Sequence, residues 1–334
     1  MTIKDRFDRF TSKIRPTEDH IDEANRQTDH MKAGLHDKVV EDGSFKLEKI
    51  LLAGSNAKHT SLRQTKENRF DVDLNAFYSG KGARKEALDK LLYFTRDRLV
   101  EIYHQKDEKD FEVLKSAVRV KFTSGIQLWV DVAPIVKDDS LGAENAGWIP
   151  RPDGTWRLTS VTAHNEFVIS RTQASTKVPG PVRFNRLVRL VKWWNNLQGD
   201  LTQPSIFCEL VAAAAVREAG GVTGEWQTSL RQVFTFVRRH GLRQPIIFDD
   251  NYDPRKVNLA TGTVVVLDPI NPENNITAAW SDRTRTEFLD RVQDAYDATV
   301  AAWSAEADGD EQEAVDHWCE LFGDAFRNLS EEED

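Results

Sequence analysis

The spacing of hydrophobic positions changes twice along the chain and marks out its elements. From residue 3 to about 40, Phe7, Phe10, Ile14, Ile21 and Met31 form an irregular stripe in a charged stretch. This predicts one long helix, kinked or started at Pro16. Leu47–Ala53 is mostly apolar and stops at Gly54, as a strand does. Gly54-Ser55 opens a short helical or loop segment, and residues 63–69 are polar and read as a loop. Phe70–Tyr78 alternates: Phe70, Val72 and Leu74 share one face, and Asp71, Asp73 and Asn75 share the other. Gly82–Tyr103 has helical amphipathicity. Phe111–Thr123 and Ile126–Val136 predict two strands, joined by a turn at Ser124-Gly125. Residues 137–156 are rich in Gly, Pro and Asp and predict an irregular stretch.

Beyond this the pattern becomes helical, at about 160–175, 181–198, 204–219, 225–240, 281–304 and 310–327. One expected strand pair, Pro245–Phe248 with Thr263–Leu267, interrupts these helices. The fold class is therefore α/β (α+β): a mixed sheet lobe followed by a helical lobe, with the change of character near residues 175–182. The expected domains are a spine helix over 1–40, a first lobe over 41–178 and a helical lobe over 179–330. No internal repeat or low-complexity tract is present.

The composition supports a folded chain. Of 334 residues, 40% are hydrophobic, with nine Trp and seventeen Phe, enough for a sizeable core. Cys208 and Cys319 are the two cysteines, which excludes a disulfide framework and points to a reducing compartment. The N-terminal stretch lacks an apolar signal region, and no apolar run approaches a membrane span, so a cytoplasmic protein away from membranes is expected. The formal net charge of −9 argues against broad nucleic-acid binding, so no activating nucleic acid is expected. The chain ends Ser330-Glu-Glu-Glu-Asp334, an acidic tail without a small terminal residue, and no conjugation through the C-terminus is expected. Asn275-Ile-Thr277 and Asn328-Leu-Ser330 match the glycosylation pattern, without meaning in a chain that is not secreted.

Three carboxylates stand out. Asp71 and Asp73, two residues apart on one strand, point to the same face with their Cα atoms about 6.5–7 Å apart. Asp131 lies on the polar side of another strand. Separately, each also describes a solvated strand face. On neighbouring strands they would converge, and three like charges require a compensating cation. Hard oxygen donors suit Mg²⁺ or Mn²⁺. Gly54-Ser55 follows an apolar strand and can bring backbone N–H groups and a hydroxyl to a phosphate, although it is not a Walker A loop. Arg183, Arg186, Arg189 and Lys192 recur every three residues on one helix, a locally basic stripe suited to a triphosphate. Trp193 and Trp194 read as core, and Arg238-Arg239-His240 as cations at a helix C-terminus.

Taken together, Leu51-Leu-Ala-Gly-Ser-Asn-Ala-Lys-His-Thr60, Phe70-Asp-Val-Asp-Leu74 and Trp129-Val-Asp-Val-Ala-Pro134 resemble the active site of the polymerase-β-like nucleotidyltransferases. More narrowly, the chain resembles the branch that holds cyclic GMP–AMP synthase, oligoadenylate synthase and the bacterial CD-NTases of CBASS antiphage defence. Leu187-Val-Arg-Leu-Val-Lys-Trp-Trp-Asn195 is similar to that branch's helix with a triphosphate-binding lysine, and Pro204-Ser-Ile-Phe-Cys-Glu-Leu210 to its next helix start. Val266-Leu-Asp-Pro-Ile-Asn-Pro-Glu-Asn-Asn275 resembles a segment near the end of oligoadenylate synthases and is the most discriminating match. The resemblance implies two Mg²⁺ ions (or Mn²⁺) on Asp71, Asp73 and Asp131, donor phosphates at Gly54 and Ser55, and the triphosphate tail on Lys192 and Ser205. It further implies NTP substrates, ATP among them, pyrophosphate release, a cyclic oligonucleotide second messenger, and a downstream effector reached through that product. Asp131 would help deprotonate the attacking hydroxyl. Linear oligonucleotide synthesis, nucleotidyl transfer to a protein or RNA acceptor, and a non-catalytic nucleotide sensor are the alternatives. Two positions depart from the family pattern: His59 stands where many members have Gly, and Ile206 where some have a base-stacking Tyr.

Overall fold

The computed structural model describes residues 1–65, 69–80, 89–151 and 153–329. Part of the polar 63–69 loop, the first turns of the helix expected from Gly82, and the acidic tail therefore lie outside the described residues.

The N-terminal stripe forms two helices, not one. Ile3–Lys13 (α1) starts on a capping box, with Thr2 Oγ1 accepting from the Asp5 N–H and the Asp5 carboxylate accepting from the Thr2 N–H. Pro16 lacks an N–H and drives the preceding residue out of helical geometry, which ends this first segment. Thr17 then caps Glu18–Asp42 (α2), which closes on Gly43 at φ +73°.

The chain divides into two compact units, residues 16–166 and residues 1–15 with 167–334. These bounds differ from the expected 40/41 and 178/179. The reason is what each helix buries: α1 packs its aromatic face among the C-terminal helices, while α2 packs on the sheet.

In the first unit, Lys46–Ala53 (β1) leads into the short helix Gly54–Ala57 (α3) and then Phe70–Ser79 (β2). Asp89–Ile102 (α4) follows. The expected strand 111–123 is in fact a hairpin, Phe111–Val113 (β3) against Val118–Phe122 (β4), closed by the Leu114 N–H on Ala117 O at 2.8 Å. Leu128–Lys137 (β5) comes next. The expected irregular stretch contains a second hairpin, Ala146–Pro150 (β6) with Trp156–Ser160 (β7). Its alternation was hidden because Gly147, Pro150 and Gly154 occupy positions that a propensity argument assigns to loops.

The strand order is β1-β2-β5-β4-β3, with β6 and β7 continuing from β5. All neighbours are antiparallel except the central pair β2 and β5, which is parallel. Met31, Leu35 and Val39 of α2 and Leu91, Leu92 and Leu99 of α4 join one sheet face at Val72, Leu74, Val130 and Val132. Helices on one face leave the alternate residues of β2 and β5 to face the other way. That second face has a small apolar cluster of Ala53, Phe77, Ile135 and Val161 at one end and the carboxylates at the other.

The second unit is helical: α1 with Val161–Ser175 (α5, within which the division falls), Phe184–Asn196 (α6), Ser205–Glu218 (α7), Trp226–His240 (α8), Asp282–Ala307 (α9), Glu311–Phe322 (α10) and Asp324–Arg327 (α11). Phe7 meets Trp318 edge-on at 4.8 Å and Phe326 at 5.1 Å, and Phe10 meets Trp193 at 5.7 Å. Trp194 is buried against Phe234 and Phe288, so both tryptophans belong to the core. The expected strand pair is reduced to isolated bridges, Ile246 to Val266 and Leu267 to Asn275. Side chains replace the ladder there. Asp268 accepts from the Ile270 and Asn271 N–H groups and from Asn274 Nδ2, and Asn275 Oδ1 accepts from the Val266 and Thr277 N–H groups. The Asp-Pro-x-Asn-Pro segment is thus a buried hydrogen-bonded turn. Among the described residues, no helix is long and apolar enough to cross a membrane.

Candidate active site

The three carboxylates meet on one strand pair. Asp73 stands directly beside Asp131 in the parallel β2–β5 register, a strand spacing of about 4.8 Å. Asp71 lies two residues along on the same face, level with Trp129. All three are partly exposed, while Val72, Leu74, Val130 and Val132 between them are buried. The alternation that builds the core on one side therefore builds the carboxylate face on the other.

Gly54 closes the site from the β1 side, where Ala53 pairs with Asp73. Its φ is +62°, and a Cβ there would stand 1.8 Å from Asp73 Oδ2. Two independent constraints, backbone sign and contact with the carboxylate, thus demand glycine. Asn56 Nδ2 donates to the Asp71 carbonyl at 2.7 Å and ties α3 to β2. Ser55 Oγ accepts from Ser61 Oγ at 3.1 Å, which leaves its own hydrogen to donate elsewhere. His59 has φ +55° and is exposed, which explains why glycine is common at this place in the family pattern.

One residue here was not anticipated. Arg119 on β4 pairs with Asp131 in the antiparallel register and grips it with Nε at 2.7 Å and Nη2 at 2.8 Å. Its guanidinium lies 4.3 Å from the Trp129 ring centre. The hydrogen bonds it donates to Asp131 raise the Arg119 guanidinium above its ordinary range, more than partial burial lowers it. A signal was available in the sequence: a turn centred on Gly125 places residues 119 and 131 opposite each other.

Among the described residues, no three His, Cys, Asp or Glu side chains form a ready-made metal cage. Mg²⁺ is usually held by one or two carboxylates together with substrate phosphates and water. Asp71 and Asp73 present two carboxylates on one face, and Asp131 retains a lone pair on each oxygen beyond its bonds to Arg119.

The second unit holds the other expected residues. Lys192 is 2% exposed, and its Nζ meets Glu209 Oε1 at 3.0 Å. Ser205 is exposed at the first position of α7, one turn before Glu209 and on the same helix face. The basic stripe expected on α6 is not a solvent-facing row. Arg186 is exposed, but Arg189 is buried, and desolvation, reinforced by the like charges of Arg15 and Arg186, brings its guanidinium down to about 10. The three-residue spacing drifts around the helix, so its members end in different environments. Ile206, where some relatives place an aromatic ring, is half-buried. Glu209, like Arg119, was missed because a carboxylate within an apolar helix reads as an isolated polar residue.

Residues 1–171 match the Second Messenger Oligonucleotide or Dinucleotide Synthetase domain. The chain is 30% identical to the CBASS oligonucleotide cyclase CdnC of Escherichia coli, over 94% of both chains. It is 27% identical to the cyclic AMP-AMP-AMP synthase of E. coli strain MS 115-1, over 92% of both. The solved structure of E. coli MS115-1 CdnC with ATP superposes with a TM-score of 0.78, at 26% identity and covering 97% of this chain and 98% of that one. With Asp73 and Asp131 in register on parallel strands, Asp71 on the same face and Gly54 against Asp73, and with relatives of this extent, the chain belongs to the second messenger oligonucleotide or dinucleotide synthetase family, the CD-NTases with a polymerase-β-like fold.

Proposed function

We propose that the chain condenses nucleoside triphosphates, ATP among them, into a cyclic oligonucleotide with release of pyrophosphate, as a signal in bacterial antiphage defence. The observation that carries this is the in-register Asp73–Asp131 pair with Asp71 on the same face, set against Gly54 and Ser55. A curated relative of nearly the same length is named an oligonucleotide cyclase, and a related structure was solved with ATP.

Asp71, Asp73 and Asp131 would hold divalent cations, which supply positive charge to the α-phosphorus region and to the departing pyrophosphate. Ser55 donates its hydroxyl hydrogen to a donor phosphate oxygen, and the backbone beside Gly54 approaches the same phosphates because no Cβ intervenes. Asp131 orients the acceptor hydroxyl toward the α-phosphorus; both its oxygens already accept from Arg119, so a proton reaches it only through a remaining lone pair. Ser205 grips the triphosphate tail. Lys192 aligns α7 through its buried ion pair with Glu209. A relative's structure is described as a CdnC:HORMA-deltaN complex, which supports a protein of that class as a partner for this chain too.

The test is incubation with the four NTPs, with and without Mg²⁺. Pyrophosphate release and a phosphatase-resistant product whose mass matches a closed ring support the reading. A phosphatase-sensitive ladder would make the enzyme a linear synthase. No pyrophosphate release, with nucleotide binding retained, would make the chain a sensor.

A further inference from the structure

A carboxylate expected to serve incoming cations is already gripped by a cation from its own fold. Arg119 is fixed from three directions. The β4–β5 register sets its backbone opposite Asp131, both its fork nitrogens bind that carboxylate at 2.7 and 2.8 Å, and the Trp129 indole underlies it at 4.3 Å. The two side chains remain 20% and 12% exposed, so the pair lies at the rim of the site and not in the core. A partly buried ion pair adds to stability, but charge alone does not call for both fork nitrogens and a stacked ring. The planar fork and the stacking face are properties of arginine that lysine does not share. Asp73 stands beside Asp131 in register, and Asp71 is one of the charges that bear on Arg119. The guanidinium therefore places a permanent positive charge on Asp131, with Asp73 next to it in register.

We propose that Arg119 is a positioning residue of the carboxylate site: it fixes the Asp131 side chain and weakens binding of a lone divalent cation, so that cations enter with the nucleotide. This rests on the reading of Asp71, Asp73 and Asp131 as cation ligands. Its chemistry is simple. With Arg119 present, Asp131 keeps only its remaining lone pairs for an incoming ion, and that ion meets a like charge nearby. Cations already bound to a triphosphate carry their own compensating oxygens and are disfavoured less.

The experiment uses the full chain and Mn²⁺ as the probe. Free Mn²⁺ is titrated by electron paramagnetic resonance without nucleotide, melting is followed in EDTA, and kcat and KM are measured. Arg119→Gln is expected to bind free Mn²⁺ about tenfold more tightly, as removal of a neighbouring unit charge implies. It should melt earlier in EDTA, recover with Mn²⁺, and lose kcat more than it raises KM. Arg119→Lys should recover part of the melting temperature, because charge returns, but not kcat, because the fork does not. Unchanged or weaker Mn²⁺ binding by Arg119→Gln would overturn the electrostatic part. Full kcat in Arg119→Lys would overturn the positioning part, and it remains measurable should Arg119→Gln fail to fold. Asp71→Asn separates the two readings. If it binds Mn²⁺ as tightly as the parent, the cation-ligand reading fails, while the kcat of Arg119→Lys still decides whether the fork positions Asp131.

Discussion

Replacing Gly54 by alanine tests the site at its tightest point. The added Cβ would stand 1.8 Å from Asp73 Oδ2, at a residue whose φ is +62°. Two costs arise, and they can be separated. The left-handed backbone costs an L-residue about 1–2 kcal/mol, partly offset by about 0.4–1 kcal/mol from a less flexible unfolded chain. Gly43, at φ +73° with nothing within 4 Å of the place a methyl would occupy, bears the first cost alone. Gly43→Ala should therefore lose about 1 kcal/mol, or about 2–4 °C in a unit of this size, and keep full activity. Gly54→Ala must also open the contact to Asp73 by roughly 1.5 Å to reach ordinary van der Waals distance. A displacement of that order in a reacting group costs about 100-fold in rate. Melting curves and pyrophosphate release on the two variants make the comparison. If Gly54→Ala kept the parent kcat, or if Gly43→Ala lost as much activity, the close approach of Gly54 to Asp73 would have no catalytic meaning.

The remaining predictions concern charges and thiols. Asp71→Asn and Asp73→Asn should each cut turnover at least about 100-fold, read by pyrophosphate release, through loss of several kcal/mol of charge stabilisation. Asp131→Asn should lose turnover too, but also about 1–2 kcal/mol of stability, read by denaturant unfolding, because it removes the carboxylate that holds Arg119. Lys192→Met leaves Glu209 buried without this cation and should cost about 3–5 kcal/mol, while Lys192→Met with Glu209→Leu should recover most of it. If the double variant binds ATP as well as the parent in an Asp73→Asn background, Lys192 serves the fold and not the triphosphate. Burial pushes the Cys208 thiol up to about 12 and raises Cys319 less, so neither has much thiolate at pH 8. Both should react with a disulfide reagent much more slowly in the native chain than in denaturant, and rapid native labelling of Cys208 would contradict its burial.

Several features were legible because they repeat at a fixed local period. The alternation in Phe70–Tyr78 and Ile126–Val136 placed Asp71, Asp73 and Asp131 on polar faces before any pairing was known. The apolar run ending at Gly54 located β1 and its turn. Helix starts were readable near Pro16 and Pro204, because proline chemistry acts within a few residues. Where local signals conflicted, the sequence misled. A single run, 111–123, folded back on itself, and the Gly- and Pro-rich stretch that reads as loop contains a hairpin paired to β5.

What only the tertiary structure decided is which residues become neighbours. Periodicity gives the side of a strand, but not the strand beside it, since β2 and β5 are some sixty residues apart and their parallel register fixes Asp73 against Asp131. The same holds for charge. Arg119, Arg189 and Lys192 are all basic residues in the sequence, yet one grips the carboxylate of Asp131, one is buried near like charges, and one is held in a buried ion pair. An ionic side chain takes its role from the dielectric and the partners around it, and long-range packing sets both. The sequence by itself therefore determined most of the helices, the two central strands with their polar faces, and the chemical vocabulary of the candidate site. The pairing of strands and helices decided which charges meet, because a Coulomb energy depends on a distance that local sequence does not contain.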